Sequence, residues 1–364
     1  MSQVKKADQS AQASSSQAVN DNVSPSLAKI FNEEASAAYK AFPEELKRLV
    51  VLLVPSSDTP VYVSPEVADQ LTKSTADIKA AVAYWAKYLH DAGAAGVASR
   101  SADLGGVPVA MIALDTENTL GVYTPKFTKD MILIFALDHE IGHHILKYGY
   151  PFYGVVSDEF AESAASTYAM LRHIQRFGND TDHLGEESER TAYTIILRGD
   201  TAHYSSDSIE RAIQVSQERD ISGLSLTQTA ALADKIAAEY HLSDATLDKI
   251  RIAYLPVKRA CEAQIGSGFD ISKKLYGQDK DAYTLFCRQT IAVMKQHQND
   301  PDIIKAGERF LNYPPIRNFM VESAKSDASW KEALSFIDNA QANASTPKLA
   351  AKKAVARAAV RYSC

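Results

Sequence analysis

The sequence predicts an α+β fold whose strands lie in the first third of the chain and whose helices fill the rest. Two observations carry this reading. Short aliphatic runs bounded by turn residues, the signature of strands, occur before residue 125. Beyond it, apolar residues recur at helical spacing and are interrupted by glycine and proline. The arrangement expected is a mixed sheet packed on a pair of helices, with a mainly α-helical C-terminal region over them.

Element by element, residues 1–25 are rich in Ser, Gln and Ala and read as a disordered segment. A short helix follows from Ser26 to Lys40. Leu49–Val54 and Val61–Val63 read as strands separated by the turn-forming Pro55-Ser56-Ser57-Asp58. Residues 66–92 read as one amphipathic helix, with Ile78, Val82, Trp85 and Leu89 on one stripe. Val107–Leu114 and Leu120–Tyr123 are further strand candidates. Thr128 or Asp130 can cap a helix that stops near Gly149 and Pro151, and a second helix runs from Ser157 or Asp158 to about Gly178. From 186 to 342 the pattern is a series of helices, with breaks expected at Gly199, Gly223, Pro256, Gly266–Gly268, Pro301 and Pro314-Pro315. An Ala-rich tail over 343–364 carries Lys348, Lys352, Lys353, Arg357 and Arg361 and no acid; it reads as a solvated terminal helix. The chain thus divides into a disordered start (1–25), a core (26–180), a helical region (181–342) and the basic tail (343–364).

Composition narrows the function classes. The 364 residues are 46% hydrophobic and 23% charged, the mix of a globular protein, and suffice for one large domain or two modest ones. A net charge of −6 gives no global field that would recruit nucleic acid. Cys261, Cys287 and Cys364 are far apart and odd in number, so neither a disulfide framework nor a cysteine metal knuckle is expected. No apolar run approaches the roughly 20 residues that span a bilayer. Lys5 and Lys6 are not followed by an apolar stretch, so no Sec signal peptide is expected. The compartment read from this is the cytoplasm, or the exterior by a route that needs no Sec signal.

The chemistry lies in His139-Glu140-Ile141-Gly142-His143. On a helix, residues four apart share a face, so both imidazoles can reach one ion. Zinc takes such nitrogen ligands at roughly 2.0–2.1 Å. Glu140 is turned about 100° from His139 and flanks the ion without ligating it, where it can take a proton from a water that the metal acidifies. By chance alone this H-E-x-x-H pattern is expected in about one chain in a hundred of this composition. It also sits on a buried helix, marked by the run Met131–Leu137, where two histidines and the acids Asp138 and Glu140 would be costly without a purpose. His144 lies off the shared face and reads as a support or surface histidine.

A third protein ligand is needed. The run Asp158-Glu159-Phe160-Ala161-Glu162-Ser163-Ala164-Ala165-Ser166-Thr167-Tyr168-Ala169 can supply a carboxylate from the second helix. With the H-E-x-x-H core, this stretch resembles the gluzincin superfamily of zinc peptidases, over residues 131–171. The longer metzincin form is excluded, because Leu146 and Gly149 stand where it has Gly and His. The resemblance implies a second helix of the form Glu-x-x-Ala-Asp-x-x-Ala. Its Glu binds zinc, its alanines admit close helix approach, and its Asp holds a ligand histidine. Two registers fit. In one, Glu162 is the ligand, with 18 residues between it and His143, and Ser166 replaces the Asp. In the other, Asp158 is the ligand and Glu162 stands behind it. Glu159 is a third choice, away from the alanine seam.

The resemblance implies a zincin-like fold that hydrolyses peptide bonds at Zn2+, with Glu140 as general base and a peptide or protein as substrate. Zinc peptidases add a donor for the tetrahedral oxyanion. His203 and Tyr204, beyond the break at Gly199, are the candidates, with Tyr193 and Arg198 nearby. In such enzymes extended substrate often pairs with the strand before the active helix, here Leu120–Tyr123 or Val107–Leu114. The alternatives are a zincin-like protein that binds or scaffolds without turnover, and a secreted effector protease with one protein target.

Overall fold

A computed structural model describes residues 25–55, 59–71, 75–92, 96–116, 128–150, 157–179 and 181–340. The expected strand Leu120–Tyr123, the stretch 1–24 and the basic tail 343–364 with Cys364 lie outside the described residues.

The first part contains α1 (Pro25–Ala41), α2 (Pro43–Leu46), β1 (Leu49–Val54), β2 (Tyr62–Val63), α3 (Pro65–Leu71), α4 (Thr75–Ala92), β3 (Gly96–Leu104), β4 (Val107–Asp115), α5 (Lys129–Ile145) and α6 (Asp158–Phe177). Helices follow: α7 (Thr181–Tyr193), a wide π-type turn over Thr194–Arg198, α8 (Ser206–Glu218), α9 (Leu226–Tyr240), α10 (Asp244–Gln264), α11 (Gly268–Tyr276), α12 (Lys280–Gln296), α13 (Pro301–Asn312) and α14 (Pro314–Ser323). A last helical run covers 328–340. The fold is therefore α+β, with a small sheet and a helical remainder.

The sheet has the order β2-β1-β4-β3. β1 and β4 run parallel, and both outer pairings are antiparallel, so the sheet is mixed. All six residues of β1 are buried because both sheet faces are covered. Leu49, Val51 and Leu53, with Ile112 and Leu114 of β4, pack into the core that includes Phe31 of α1 and Leu133 and Leu137 of α5. Val50, Leu52 and Val54, with Met111 and Ala113, face Val67 and Leu71 of α3 and Ile78, Val82 and Leu89 of α4. The alternation follows from the two-residue period of a strand.

Three sequence expectations need correction. Residues 66–92 form two helices, α3 and α4, rather than one. The helix carrying the histidine pair ends at Ile145, short of Gly149, and Leu146 is its C-cap. Pro256 does not break the helical region but lies inside α10. Leu247, Ile250, Tyr254, Val257 and Cys261 form one buried stripe through it. Burying that stripe outweighs the roughly 3 kcal/mol that proline costs in a helix interior. The strand β3 was not foreseen.

α5 and α6 begin with matched caps: Thr128 Oγ1 accepts from the Met131 amide and Ser157 Oγ from the Phe160 amide. The two helices then cross at small residues. A Cβ added at Gly142 would come 3.1 Å from Ala165 Cα. Ala161, Ala164, Ala165 and Ala169 are fully buried along α6. On the far side, Asp138 of α5 is paired with Arg176 of α6, whose Nη2 donates to Oδ1 at 3.0 Å. Arg176 Nε and Arg172 Nη2 donate to Glu34 of α1 at 3.0 and 2.9 Å. Breaking such a buried pair by removing one partner costs about 3–5 kcal/mol. This is the purpose of the buried Asp138: it fixes α1, α5 and α6 from behind.

A second core joins the π-type turn and α10 to α14, centred on Tyr254, Tyr283, Phe286 and Phe310. Cys261 and Cys287 are buried there as free thiols. Among the described residues, no helix is long and apolar enough to cross a membrane.

Candidate metal centre

His139 and His143 project from one face of α5 toward Glu162 of α6. The two Nε2 atoms are 3.1 Å apart. His139 Nε2 is 3.1 Å from Glu162 Oε2, and His143 Nε2 is 3.4 Å from Oε1. Three ligands of a tetrahedral ion at 2.0–2.1 Å would be spaced by about 3.3–3.4 Å. The two nitrogens and the carboxylate therefore form a group that could hold a metal ion.

The outer nitrogens are held in the sense that a metal requires. His143 Nδ1 donates to the Gly149 carbonyl at 2.6 Å, which turns its Nε2 toward the cluster. That carbonyl reaches Nδ1 because Gly149 packs against the end of α5; a Cβ there would lie 2.6 Å from the Gly142 oxygen. His139 Nδ1 lies 3.3 Å from Ser166 Oγ. Serine thus stands at the support position where the resemblance has Asp.

Burial opposes charge at all these groups, and the neighbours outweigh it at two of them. Hydrogen bonds from His139 and His143 hold the Glu162 carboxyl well below the usual range. Against its burial, His143 is raised to about 9 by Glu162 and then Glu140. Glu140 is itself buried beside the cluster, and burial pushes its carboxyl up against the pull of His139 and His143. Its carboxylate rests on Gly96 of β3, where a Cβ would come 2.8 Å from Oε1.

The other acids lie elsewhere. Asp158 is exposed in the first turn of α6. Glu159 is buried on another face, where its Oε1 accepts from Ser163 Oγ at 2.8 Å. His144 is buried and does not join the cluster; burial lowers its imidazole to about 3.

Of the downstream candidates, His203 reaches the site. Its Nε2 is 3.8 Å from Glu162 Oε2, and its Nδ1 pairs with Asp200 Oδ2 at 2.8 Å. Its side chain is more than half exposed; against partial desolvation, Asp200 and then Glu162 raise it to about 9. The π-type turn ends at Gly199 with φ 67°, and the Asp200 amide donates back to the Thr194 carbonyl, which aims this segment at the metal cluster. Tyr204 instead points into the helical core, where its hydroxyl accepts from Arg309 Nη1 at 2.8 Å. Tyr193 is also buried there, facing Tyr276. Val107–Leu114 falls in β4, which is paired on both sides, so it has no edge for strand addition; among the described residues the edge strands are β2 and β3, and it is β3 that touches Glu140.

Sequence reasoning missed Asp200, Gly96 and the Gly149 carbonyl. A signal existed only for Asp200, whose i, i+3 spacing to His203 follows a glycine break. No protein-family model, no curated protein and no solved structure matches the chain.

Proposed function

We propose that the chain is a zinc-dependent metallopeptidase with a zincin-like active site. The observation that carries this reading is the His139–His143–Glu162 cluster, spaced for a tetrahedral ion, with Glu140 buried at its side. Zinc in that position supplies Lewis acidity, which polarises a carbonyl and lowers the pKa of water toward neutrality.

The chain's own residues divide the remaining work. Glu140, its carboxyl raised by burial, takes a proton from the attacking water and hands it to the leaving amine. His203, held by Asp200 and carrying a positive charge, donates to the oxyanion that develops on the scissile carbonyl. Ser166 and the Gly149 carbonyl keep the ligand imidazoles aligned.

Glu140→Gln tests the reading. The variant should keep one zinc per chain by elemental analysis and lose cleavage of a mixed peptide library. Full cleavage by this variant, or no zinc uptake by the unaltered protein, would sink it.

A further inference from the structure

β3 carries a second feature beside the metal centre. Among the described residues it is paired with β4 on one side only, which leaves main-chain donors and acceptors along its other side. Gly96 makes room for Glu140 at one end of the strand. Four positions on, Arg100 lies where β3 slips out of register with β4, between Ser99 and Ala102. Its guanidinium carbon is 3.9 Å from the centre of the Tyr150 ring. One Nη approaches the His143 carbonyl at 3.5 Å. The Tyr150 ring is 5.7 Å, centre to centre, from the His143 imidazole. The guanidinium is thus within about 10 Å of a ligand ring, the length of about three residues of extended chain.

Arg100 is exposed, and the contacts described for it are a carbonyl and a ring face, neither of which neutralises its charge. Stacking on Tyr150 fixes the plane of the guanidinium, whose fork of N–H donors matches a carboxylate. An extended peptide on β3 would pass the metal centre and this cation together.

We propose that Arg100 sets the substrate class, selecting peptides with a carboxylate within three residues of the scissile bond. This rests on the peptidase reading of the metal centre. The carboxylate can come from an acidic side chain or from the peptide's C-terminus, since the guanidinium recognises the same group in both.

Binding to full-length, zinc-loaded Glu140→Gln protein tests it. The probes are fluorescent decapeptides with Glu or Gln at each central position, their C-termini free or amidated. At one position Glu should bind at least tenfold more tightly than Gln, as expected for a charge-assisted pair. A free-over-amidated preference of the same size would assign the C-terminal carboxylate instead. Adding Arg100→Gln should bring the ratio to about one, and Arg100→Lys, which keeps the charge but not the fork, should restore part of it. A merely structural role would not give that recovery of selectivity. Ratios unchanged by Arg100→Gln overturn the proposal. Cleavage of the same peptides by the unaltered protein reads the peptidase assignment separately. Charge-selective binding without cleavage sinks that assignment alone; cleavage without charge selectivity sinks the role of Arg100 alone.

Discussion

Ser166 Oγ lies 3.3 Å from Nδ1 of His139, so a neutral hydroxyl supports a histidine of the candidate metal cluster. Removing such an outer partner typically costs 10–100-fold in metal affinity. Ser166→Ala should therefore weaken zinc binding by about tenfold or more in a chelator competition titration. Ser166→Asp, which adds charge to the same bond, should tighten it. Equal affinities across the three proteins would remove Ser166 from the site.

Asp200 and His203 should act on turnover, not on metal content. His203→Ala is expected to lower kcat by about a hundredfold, the usual cost of an oxyanion donor. Asp200→Asn keeps the imidazole but removes the charge that orients it, and should give a smaller fall in kcat. Zinc per chain should be unchanged in both. Steady-state kinetics with elemental analysis checks the pair, and a change confined to KM would count against an oxyanion role.

Gly96 is a steric prediction. A methyl group there would lie 2.8 Å from both Glu140 Oε1 and Leu114 Cδ2. Since an ångström of misplacement can cost about 10²-fold, Gly96→Ala should cut kcat/KM by about ten- to a hundredfold. Zinc should remain, because Glu140 is not one of the three ligands. Normal activity in this variant would mean that Glu140 does not need its present position.

Glu159 gives a pH dependence of stability. Burial raises its carboxyl to about 7 from an ordinary 4.5, although Ser163 and the Leu242 amide pull it down. The folded state therefore holds a proton that the unfolded state releases. Its favourable contribution is full below pH 4.5, declines as pH rises, and is lost once pH passes about 7. The total is roughly 3 kcal/mol. Glu159→Gln, which still accepts from Ser163, should match the unaltered protein near pH 4.5 and exceed it by about that amount at pH 8. Paired urea melts at the two pH values check the sign.

Much of the scaffold can be read in the sequence because local rules determine it. β1 is an unbroken aliphatic run, and the caps Thr128 and Ser157 mark the starts of α5 and α6. β3 escapes such reading. Its Gly-Val-Ala-Ser-Arg-Ser-Ala-Asp-Leu has no clean alternation, and it becomes a strand by pairing with β4. At the site, His139 and His143 follow from i, i+4 spacing on α5. The choice among Asp158, Glu159 and Glu162 does not, because all three lie near the start of α6. How α6 crosses α5 decides it, and that crossing depends on Gly142 meeting Ala165. Asp200 shows in the sequence only as the i, i+3 neighbour of His203 beyond Gly199; the π-type turn that aims the two at the cluster has no signature of its own.

The crossing of α5 and α6 also bears on how the chain acquires its shape. His139 and Glu162 are 23 positions apart, so the whole donor set leaves the ribosome within one helical hairpin. Closing so short a loop costs little entropy, and contacts this local form early. A metal ion met at that stage would clasp the hairpin before α10 to α14 had been synthesised. Metal loading and folding would then be one event, and the helical region would assemble on a hairpin already clasped.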